Sequence, residues 1–493
     1  MTGWFTDARI ALRLLGRRPG WTAAVLATLA LAIGANSALF SVLDATLLQP
    51  MPYPAPERLV FIRETAPQLP DYSVSYPDYL DWRARTRSFD EMGVYQGGEV
   101  NLTGMGVPRR TRVVKASASY FRVLGIPPLV GRTFEEDEDR PGGEPVIVLT
   151  EALARTLYGH PGAALGRTLM VDGISATVVG VMPASFRVTR RPELWIPVGP
   201  RMAGHTGDRV NHPGLTGIAR LKRGVSFGEG RLDLESVGRA LQAEYPENKA
   251  ILPRPEPLQQ ALTGDLRGSL WLLMGAVVLV LLIAAANVGS LMLARGTGRV
   301  RELAIRGALG AGRSRLIRQL LVESLVLALL GGALGLMLAA GAMQVLEAHR
   351  PSSLPSYVAL ALNVRVLLFS LGASVVCALL FGLVPALIGS RTQLHEAMRQ
   401  GDARMSGGQH RLRVVLVVAE VALALVLVVA AGLTSRALAG LLRLDTGFDG
   451  TGMLTFRLSV PEARQRTAQD LRDFYERMVG EIRALPGVED ASY

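Results

Sequence analysis

Five apolar runs divide the chain, and each is long enough to cross a membrane as an α-helix. A hydrocarbon core of about 30 Å takes roughly 20 helical residues. The first four runs hold no charged side chain, and the fifth holds only Glu420. Buried helices of soluble proteins seldom stay uncharged over that length, so the pattern predicts transmembrane helices. The runs cover residues 21–43, 268–294, 324–346, 366–390 and 414–435.

The segment between the first two runs, residues 44–267, alternates short strand-like and helix-like patterns. Such a mixture is typical of an α+β domain. The expected fold class is therefore an α-helical transmembrane bundle with a large α+β domain outside the membrane. The pattern predicts strands at 58–63, 92–102, 146–149, 169–171 and 176–181, and helices at 76–87, 151–158 and 227–245.

The tail after the fifth run, residues 436–493, begins the same plan again. It predicts a strand at 452–460, a helix at 469–485 and a strand opening at 487–493. An internal repeat is the simplest interpretation. Because this opening has little core to bury, we expect the chain to be a fragment of a longer protein with an incomplete second outside domain.

Positive charge is confined to three short stretches beside the apolar runs. The net charge is +11, and its excess lies in residues 1–20, 295–323 and 391–413. These stretches alternate with the runs as the positive-inside rule requires, so we expect them in the cytoplasm together with the N-terminus. Residues 44–267, 347–365 and 436–493 are then extracytoplasmic. This distribution argues against a nucleic-acid partner and for the lipid bilayer as one.

The first 20 residues combine arginines with apolar side chains and predict an amphipathic helix at the cytoplasmic membrane interface. A cleaved signal peptide is the alternative for the run that follows. That run, 21–43, is longer than an ordinary signal-peptide core, and no small-x-small cleavage site follows it. We therefore expect it to remain as the first transmembrane helix.

Small residues recur at every fourth position in two of the runs. Ala30, Gly34 and Ala38 share one face of the first run, and Gly331 and Gly335 share one face of the third. This spacing allows helix backbones to approach closely, either within a bundle or between two copies of the chain. Scattered small residues in an alanine-rich membrane protein remain the alternative.

Two polar side chains lie within the second and fifth apolar runs. Asn287 is expected to hydrogen-bond between helices. Glu420 either contacts polar groups within the bundle or extends to the membrane interface.

Two motifs suggest chemistry that their context does not support. The sequence GVSFG at 224–228 matches a hydrolase nucleophile elbow, but Ser226 and Glu229 form the S-x-x-E pattern of a helix capping box. The acidic run 135–139 lacks the alternating spacing of a calcium loop, so we expect a solvated loop. We therefore predict no catalytic residue, and the chain is not expected to be an enzyme.

Cofactor and metal motifs are also missing from the sequence. The six histidines show no metal-binding spacing, and the single cysteine, Cys377, excludes an internal disulfide. No G-x-x-x-x-G-K-[ST] phosphate-binding loop occurs in the 493 residues. If the system uses ATP, we expect a partner subunit to bind it.

Residues 295–323, between the second and third runs, form the one segment for which we predict a function. Glu302 and Arg306 are spaced to pair on a short helix over 299–309. The glycines of 310–312 interrupt it, and Ser314 is expected to cap a second helix that enters the third run. Such a joint suits mechanical coupling to a cytoplasmic protein. A basic loop that only contacts anionic lipid is the alternative.

Several segments resemble one protein family. RVRELAIRGALGAGRSRLIRQLLVES, at 299–324, resembles the same region of FtsX/MacB-type permeases of ABC transporters. Residues 8–54 resemble the opening of their duplicated subgroup, the acidobacterial duplicated orphan permeases. The sequences SYPDYLDWRARTRSFDEMGVY, VKASASYFRVLGIPPLVGRTFEEDEDRPGG and VVGVMPASF also resemble that subgroup.

The resemblance implies a MacB-like extracytoplasmic core domain, three further helices and a second copy of this plan. It also implies that 295–323 is a coupling segment that docks on a cytoplasmic ABC ATPase subunit. Unlike MacB, this sequence carries no fused ATPase domain. The candidate docking residues are Arg299, Arg301, Glu302, Ala304, Arg306, Gly310, Arg313 and Arg315.

The resemblance implies a multi-pass permease of the bacterial plasma membrane, in which ATP hydrolysis by a separate subunit moves the extracytoplasmic domains for export. The alternative is an FtsX-like mechanotransmission subunit that activates an extracytoplasmic cell-wall enzyme. Further partners would be a second permease copy or a periplasmic adaptor. A transmembrane sensor is less consistent with the sequence, because 295–323 is too short for a cytoplasmic output domain.

Overall fold

The computed structural model divides into two compact units. The helical unit takes its described residues from 1–49, 264–354 and 358–451, and the sheet unit from 50–263 and 452–493. The structure describes residues 2–67, 69–104, 108–186, 192–202, 204, 207–297, 313–349, 358, 361–389, 407–442, 452–456 and 468–493.

The described residues form eleven α-helices, most of the long ones in the helical unit. They are α1 (Thr2–Gly16), α2 (Pro19–Leu43), α3 (Tyr76–Arg85), α4 (Ser119–Leu124), α5 (Glu151–Tyr158), α6 (Phe227–Glu244), α7 (Leu258–Thr297), α8 (Arg313–Ala348), α9 (Val364–Gly389), α10 (Gly407–Leu442) and α11 (Ala468–Arg483).

Four helical segments among the described residues are long and apolar enough to cross a membrane. A fifth helix, α9, coincides with the predicted run 366–390, and its apolar stretch among the described residues is the shorter Val364–Leu380. Helix α7 begins at Leu258, ten residues before the second predicted run. The four segments are Pro19–Leu48, Leu266–Met292, Ile317–Ala348 and Val414–Gly440.

Helices α2 and α8 cross with their backbones in contact. A Cβ atom added to Gly34 would lie 2.8 Å from the carbonyl oxygen of Gly335, and one added to Gly335 would lie 2.8 Å from that of Ala30. Only hydrogen at these positions permits the approach. The predicted close packing of the small residues is thus confirmed as a contact within the chain.

The core of the helical unit surrounds this crossing. Leu29 and Ile33 of α2, Leu327 of α8 and Cys377 of α9 are all fully buried there. Phe40 of α2 and Phe369 of α9 stack with their ring centroids 4.1 Å apart. Helix α10 differs, since none of its apolar window is buried among the described residues.

The sheet unit is built on one mixed sheet of eleven strands among the described residues. Its order is β11-β1-β10-β3-β4-β9-β6-β8-β5, with β2 paired to β1 and β7 paired to β3 and β8. The pairs β4–β9 and β6–β8 are parallel and the other pairs are antiparallel. The strands are β1 (Leu59–Ala66), β2 (Leu69–Tyr72), β3 (Phe89–Thr103), β4 (Arg109–Ala116), β5 (Val130–Gly131), β6 (Val146–Thr150), β7 (Thr168–Val171), β8 (Ile174–Met182), β9 (Leu194–Pro197), β10 (Thr216–Leu221) and β11 (Leu252–Pro257).

Two hydrophobic cores stabilise this sheet at its two ends. Helices α3 and α6 cover β1, β10 and β3, with Trp82 and Tyr79 fully buried between them. Helix α5 covers β6 and β8, with Leu153 and Ala154 buried. The α+β class predicted for this part of the chain is confirmed.

The predicted helix starts in the sheet unit are confirmed by their caps. The Ser75 hydroxyl accepts the backbone N–H of Asp78 at the start of α3. Ser226 and Glu229 form a complete capping box at the start of α6, so the G-x-S-x-G match is a helix cap. Each cap satisfies backbone N–H groups that have no partner within the helix.

Two strand predictions in the tail are wrong for the described residues. Residues 452–456 and 487–493 form no strand, whereas the helix between them is present as α11. A strand requires a neighbouring strand to pair its backbone groups, and none of the strand pairs among the described residues includes them. The remainder of the first segment, 457–460, lies outside the described residues.

The glycine crossing gives a first prediction. Replacing Gly335 with leucine places a side chain against the backbone of α2, so we expect a loss of about 1–3 kcal/mol in the free energy of unfolding. Gly341 of the same helix has no heavy atom within 4 Å of its added Cβ, which makes Gly341→Leu the matched control. Thermal unfolding of the purified chain in detergent measures both. Equal melting temperatures for the two variants would contradict the prediction.

Candidate coupling site

Most of the predicted docking residues lie outside the part of the chain that the structure describes. Six of them, Arg299, Arg301, Glu302, Ala304, Arg306 and Gly310, fall within 298–312. Arg313 and Arg315 lie in the first turn of α8, where the backbone alone is described. Docking by these eight residues therefore stays a prediction.

The helices on both sides of the candidate segment are long and unbroken. Helix α7 ends at Thr297 and α8 begins at Arg313. Helix α8 begins two residues earlier than a cap at Ser314 would set it, so Ser314 lies inside the first turn, because the preceding arginine, a good helix former, joins the helix. From Arg313 to Ala348 the helix runs about 54 Å without interruption, at 1.5 Å per residue.

The N-terminal helix packs against the start of α8. The carboxylate of Asp7, 8% exposed, accepts a hydrogen bond from Nε of Arg318 at 3.0 Å. Ala11 and Leu15 follow Asp7 at four-residue intervals and are buried too, whereas Arg9 and Arg13 are exposed. The amphipathic pattern of α1 thus separates a face within the bundle from an arginine face. Its position at a membrane surface remains a prediction.

A second polar contact joins the end of α2 to the start of α9. The Asp44 carboxylate is completely buried and accepts hydrogen bonds from Nδ2 of Asn363 at 2.6 Å and from Nη1 of Arg365 at 3.3 Å. Nε2 of Gln49 donates a further bond at 2.8 Å across the wide π-turn Asp44–Leu48. Such bonds to a charged acceptor are stronger than neutral ones.

A third polar contact lies within the predicted spans. Nδ2 of Asn36 donates to the carbonyl oxygen of Val277 in α7 at 2.9 Å and also to that of Ala32. The sequence predicts a hydrogen bond between helices for Asn287 instead. The side chain of Asn287 is exposed and forms no hydrogen bond to another described residue. The sequence did contain a signal for this bond, because Asn36 is a polar amide in the middle of an apolar run.

Two arginines in the sheet unit fasten the segment that enters its first strand. Buried Arg220 of β10 donates from Nη1 to the carbonyl oxygen of Pro54 and from Nε to that of Val123, both at 2.8 Å. Arg58 donates back to the carbonyl oxygen of Leu221 at 2.7 Å. Burial lowers the pKa of Arg220, which makes no ion pair with a described carboxylate. Residues 54–58 are thus fixed to the sheet by bonds in both directions.

The acidic run 135–139 is only in part the solvated loop that we expected: Glu135 and Asp137 are exposed, whereas the other carboxylates have structural partners. Glu136 pairs with Arg83 at 2.7 Å and with Arg122 at 2.6 Å. Asp139 is mostly enclosed and accepts the backbone N–H groups of Gly199 at 2.7 Å and Ala118 at 2.9 Å. Burial raises the pKa of Asp139 to about 6 despite these bonds. The run has a structural role because arginines and backbone donors from distant segments satisfy it.

Metal ligands do not gather in the described part of the chain. No group of three or more His, Cys, Asp or Glu side chains there has the geometry to hold a metal ion. Among the described residues, the site consists of contacts between helices and of ion pairs.

Two family models match the chain. The MacB-like periplasmic core domain matches residues 22–236, and the FtsX-like permease C-terminal domain matches residues 274–394. The sheet unit provides most of the first match, and helices α8 and α9 and the second part of α7 lie in the second.

Curated relatives include two macrolide exporters. The chain is 26% identical over 305 residues to macrolide export ATP-binding/permease protein MacB 1 of Yersinia pestis bv. Antiqua (strain Antiqua), covering 61% of this chain and 45% of that protein. It is 27% identical over 286 residues to macrolide export ATP-binding/permease protein MacB of Escherichia coli (strain K12), covering 57% and 42%. The chain spans less than half the length of these curated relatives.

A solved structure shows a weaker likeness. The periplasmic region of MacB from Actinobacillus actinomycetemcomitans matches with 14% identity and a TM-score of 0.33, covering 43% of this chain and 92% of that one.

These findings first define a class: a membrane protein with apolar helices and an extracytoplasmic α+β domain. More particularly, the chain resembles FtsX/MacB-like ABC permeases in its domain content, with a match to a MacB-like core domain followed by a match to an FtsX-like permease region.

The Asp44 contact gives a second prediction. Asn363→Asp removes the donor to a buried carboxylate and adds a like charge, so we expect a loss of about 1.5–3 kcal/mol in the free energy of unfolding. Asn363 also accepts the N–H of Val366 at the start of α9, and aspartate caps helices equally well. The variant therefore isolates the bond to Asp44.

Exchanging the two side chains is the matched control. The double variant Asp44→Asn with Asn363→Asp restores a donor opposite an acceptor, so it is expected to recover most of the lost stability. Thermal unfolding in detergent measures the wild type, the single variant and the double variant. A double variant no more stable than Asn363→Asp alone would argue against the contact.

Proposed function

We propose that the chain is the membrane permease subunit of an ABC-type export system, in which a separate ATPase moves the extracytoplasmic domain. The observation that carries this proposal is the pairing of a MacB-like core domain with an FtsX-like permease region in one chain. The coupling segment 295–323 is the proposed docking site for the ATPase.

The ATPase is proposed to lie on another chain. The curated relatives are named as combined ATP-binding and permease proteins. The 493 residues printed here contain no G-x-x-x-x-G-K-[ST] loop to hold ATP phosphates. In this proposal a cytoplasmic ABC ATPase supplies that function, and no cofactor binds to this chain.

The helical unit offers a path for a mechanical signal. A displacement at Arg313 passes along the continuous helix α8. It reaches α2 through the backbone contact of Gly335 with Gly34. Packed helices move as discrete bodies, so such a displacement is transmitted as a shift of neighbouring helices.

We also propose the orientation and the direction of transport. The basic stretches favour a cytoplasmic N-terminus and a cytoplasmic coupling segment in a bacterial plasma membrane. Export is proposed because the relatives are named macrolide exporters, with a small molecule, peptide or lipid-linked compound as cargo. A second permease copy and a periplasmic adaptor are proposed as further partners.

The docking proposal is tested by co-purification. A tagged chain is purified from its native membranes, and an ATPase with a phosphate-binding loop is sought among the co-purified proteins by mass spectrometry. Changing Arg301, Glu302 and Arg306 together to alanine is expected to lower ATPase recovery about tenfold or more, because each docking side chain at the centre of an interface contributes at least about 1 kcal/mol.

The sheet unit provides a matched control, a second set of two arginines and one glutamate. Arg231, Glu235 and Arg239 form two i,i+4 ion pairs on α6, with both arginines exposed and Glu235 half-buried. Their triple replacement by alanine is expected to leave ATPase recovery unchanged. Equal recovery with both triple variants would refute docking at the coupling segment. Recovery of a cell-wall hydrolase instead of an adaptor would favour signalling over export.

A further inference from the structure

A strap of residues 207–215 leads into β10 of the sheet unit and contacts β1, β2 and α3. Its first anchor is Arg209, whose guanidinium makes ion pairs with Asp78 and Asp81 of α3. The guanidinium carbon also lies 3.6 Å from the centroid of the Tyr245 ring. Arginine stays charged at every pH that a cell meets, so this anchor is insensitive to pH.

The second anchor is a buried pair formed by His212 of the strap and Glu64 of β1. Nε2 of His212 lies 2.7 Å from Oε2 of Glu64, and the two side chains are 3% and 0% exposed. The ring of Tyr72 in β2 stacks on the imidazole with centroids 4.0 Å apart. The Ser73 hydroxyl donates to the carbonyl oxygen of His212 at 3.2 Å.

The hydrogen-bond partners of His212 require a proton beyond the one on its neutral ring. Nδ1 lies 2.8 Å from the carbonyl oxygen of Val210, which only accepts, so Nδ1 carries a hydrogen. Nε2 faces a carboxylate oxygen at 2.7 Å. One more proton must lie between these two atoms, either on the imidazole or on the carboxyl group. Without it, two lone pairs face each other in a buried site.

Two further groups act on the pair. Oε1 of Glu64 accepts the backbone N–H of Ser75 at 3.2 Å, which favours the ionised carboxylate. Among the described residues, the carboxylate of Asp78 acts on both groups, and its negative charge favours the protonated pair. Arg209 and Asn248 hold that carboxylate in place.

We propose that this shared proton holds the strap closed, so that extracytoplasmic pH controls the attachment of residues 210–215 to the sheet unit. At acidic and neutral pH the pair keeps its proton and the strap is fixed at both anchors. At alkaline pH the pair loses the proton, and only Arg209 still holds the strap. The segment before β10 then opens while the sheet stays folded.

The pKa values of Glu64 and His212 are both raised in the closed strap. Burial raises the pKa of Glu64 to about 7 against the opposing bond from His212. Burial alone would lower the pKa of His212, but its bonds to Glu64 and the Val210 carbonyl outweigh this and raise it. The closed strap therefore binds protons more tightly than the open one. Because the pair shares one proton, and His212 of the open strap loses it near the usual histidine pKa of about 6.5, the stability of the closed strap falls as pH rises above about 6.5.

Hydrogen exchange of the full chain in detergent micelles tests the proposal. Amide exchange of peptides covering 207–215 is measured by mass spectrometry at pH 5.5, 7 and 8.5, with labelling times scaled for the intrinsic rate. If closing of the strap binds one proton, the equilibrium constant for closing changes by up to about tenfold per pH unit. We expect the protection of this segment to fall at least tenfold from pH 5.5 to 8.5, while β6 is unchanged.

Two variants and a histidine control test whether the pH dependence comes from the Glu64–His212 pair. Glu64→Gln removes the carboxylate that raises the pKa of His212, and His212→Gln removes the imidazole that shares the proton, so neither variant should keep the wild-type loss of protection between pH 7 and 8.5. His160 lies in the same unit, where its Nδ1 accepts the N–H of Ala163 at 3.2 Å, and His160→Gln should keep the wild-type pH profile. Constant protection in the wild type would overturn the proposal, as would a wild-type profile in either pair variant. Should one variant fail to fold, the wild type and the other variant still decide.

Discussion

The backbone contact between Gly34 and Gly335 is the constraint on which the helical unit depends. Because neither residue has a side chain, the axes of α2 and α8 approach until carbonyl oxygens meet Cα atoms. The large neighbours Leu29 and Ile33 then fill the space beside the crossing, and α9 adds Cys377 to the same core. Between helices in lipid there is little hydrophobic driving force, so close van der Waals packing of this kind supplies much of the association energy.

Polar groups reinforce the same helices at three levels along their length. Asp7 with Arg318 lies near the start of α8, Asn36 lies in the middle of α2, and Asp44 follows its end. Each bond joins elements that are far apart in the sequence. Their combined effect is to fix how the helices are rotated and shifted relative to one another, which packing of leucine and valine alone specifies poorly. A rigid unit of this kind is what mechanical transmission requires.

Local signals predicted much of the fold. Helices α3, α5 and α6 carry a serine or threonine cap and apolar spacing, and β6 and β8 carry β-branched or apolar stretches. Two of the strands that we missed, β9 and β11, lack such signals. In β9, all four residues are buried, so no alternation marks it. Strand β11 contains three prolines and is an edge strand, a place where a missing N–H is tolerated.

The polar contacts were harder to predict, because their partners are distant in the sequence. Asp44 and its donor Asn363 are separated by 319 positions, and Glu136 and Arg83 by 53. A charge count shows that Glu136 is acidic but not that two arginines neutralise it. The close packing of Gly34 was predictable from the spacing of small residues, whereas its partner in α8 was not specified by that spacing.

The burial of Cys377 has a practical consequence for spectroscopy. This thiol is the only one in the sequence, and it is enclosed between α2, α8 and α9. A maleimide or a spin label carried by water therefore meets no accessible native thiol on the folded chain. Cysteines introduced at exposed positions of α6 or of the strap become unique attachment points, so distances between such probes are measurable without first altering the core.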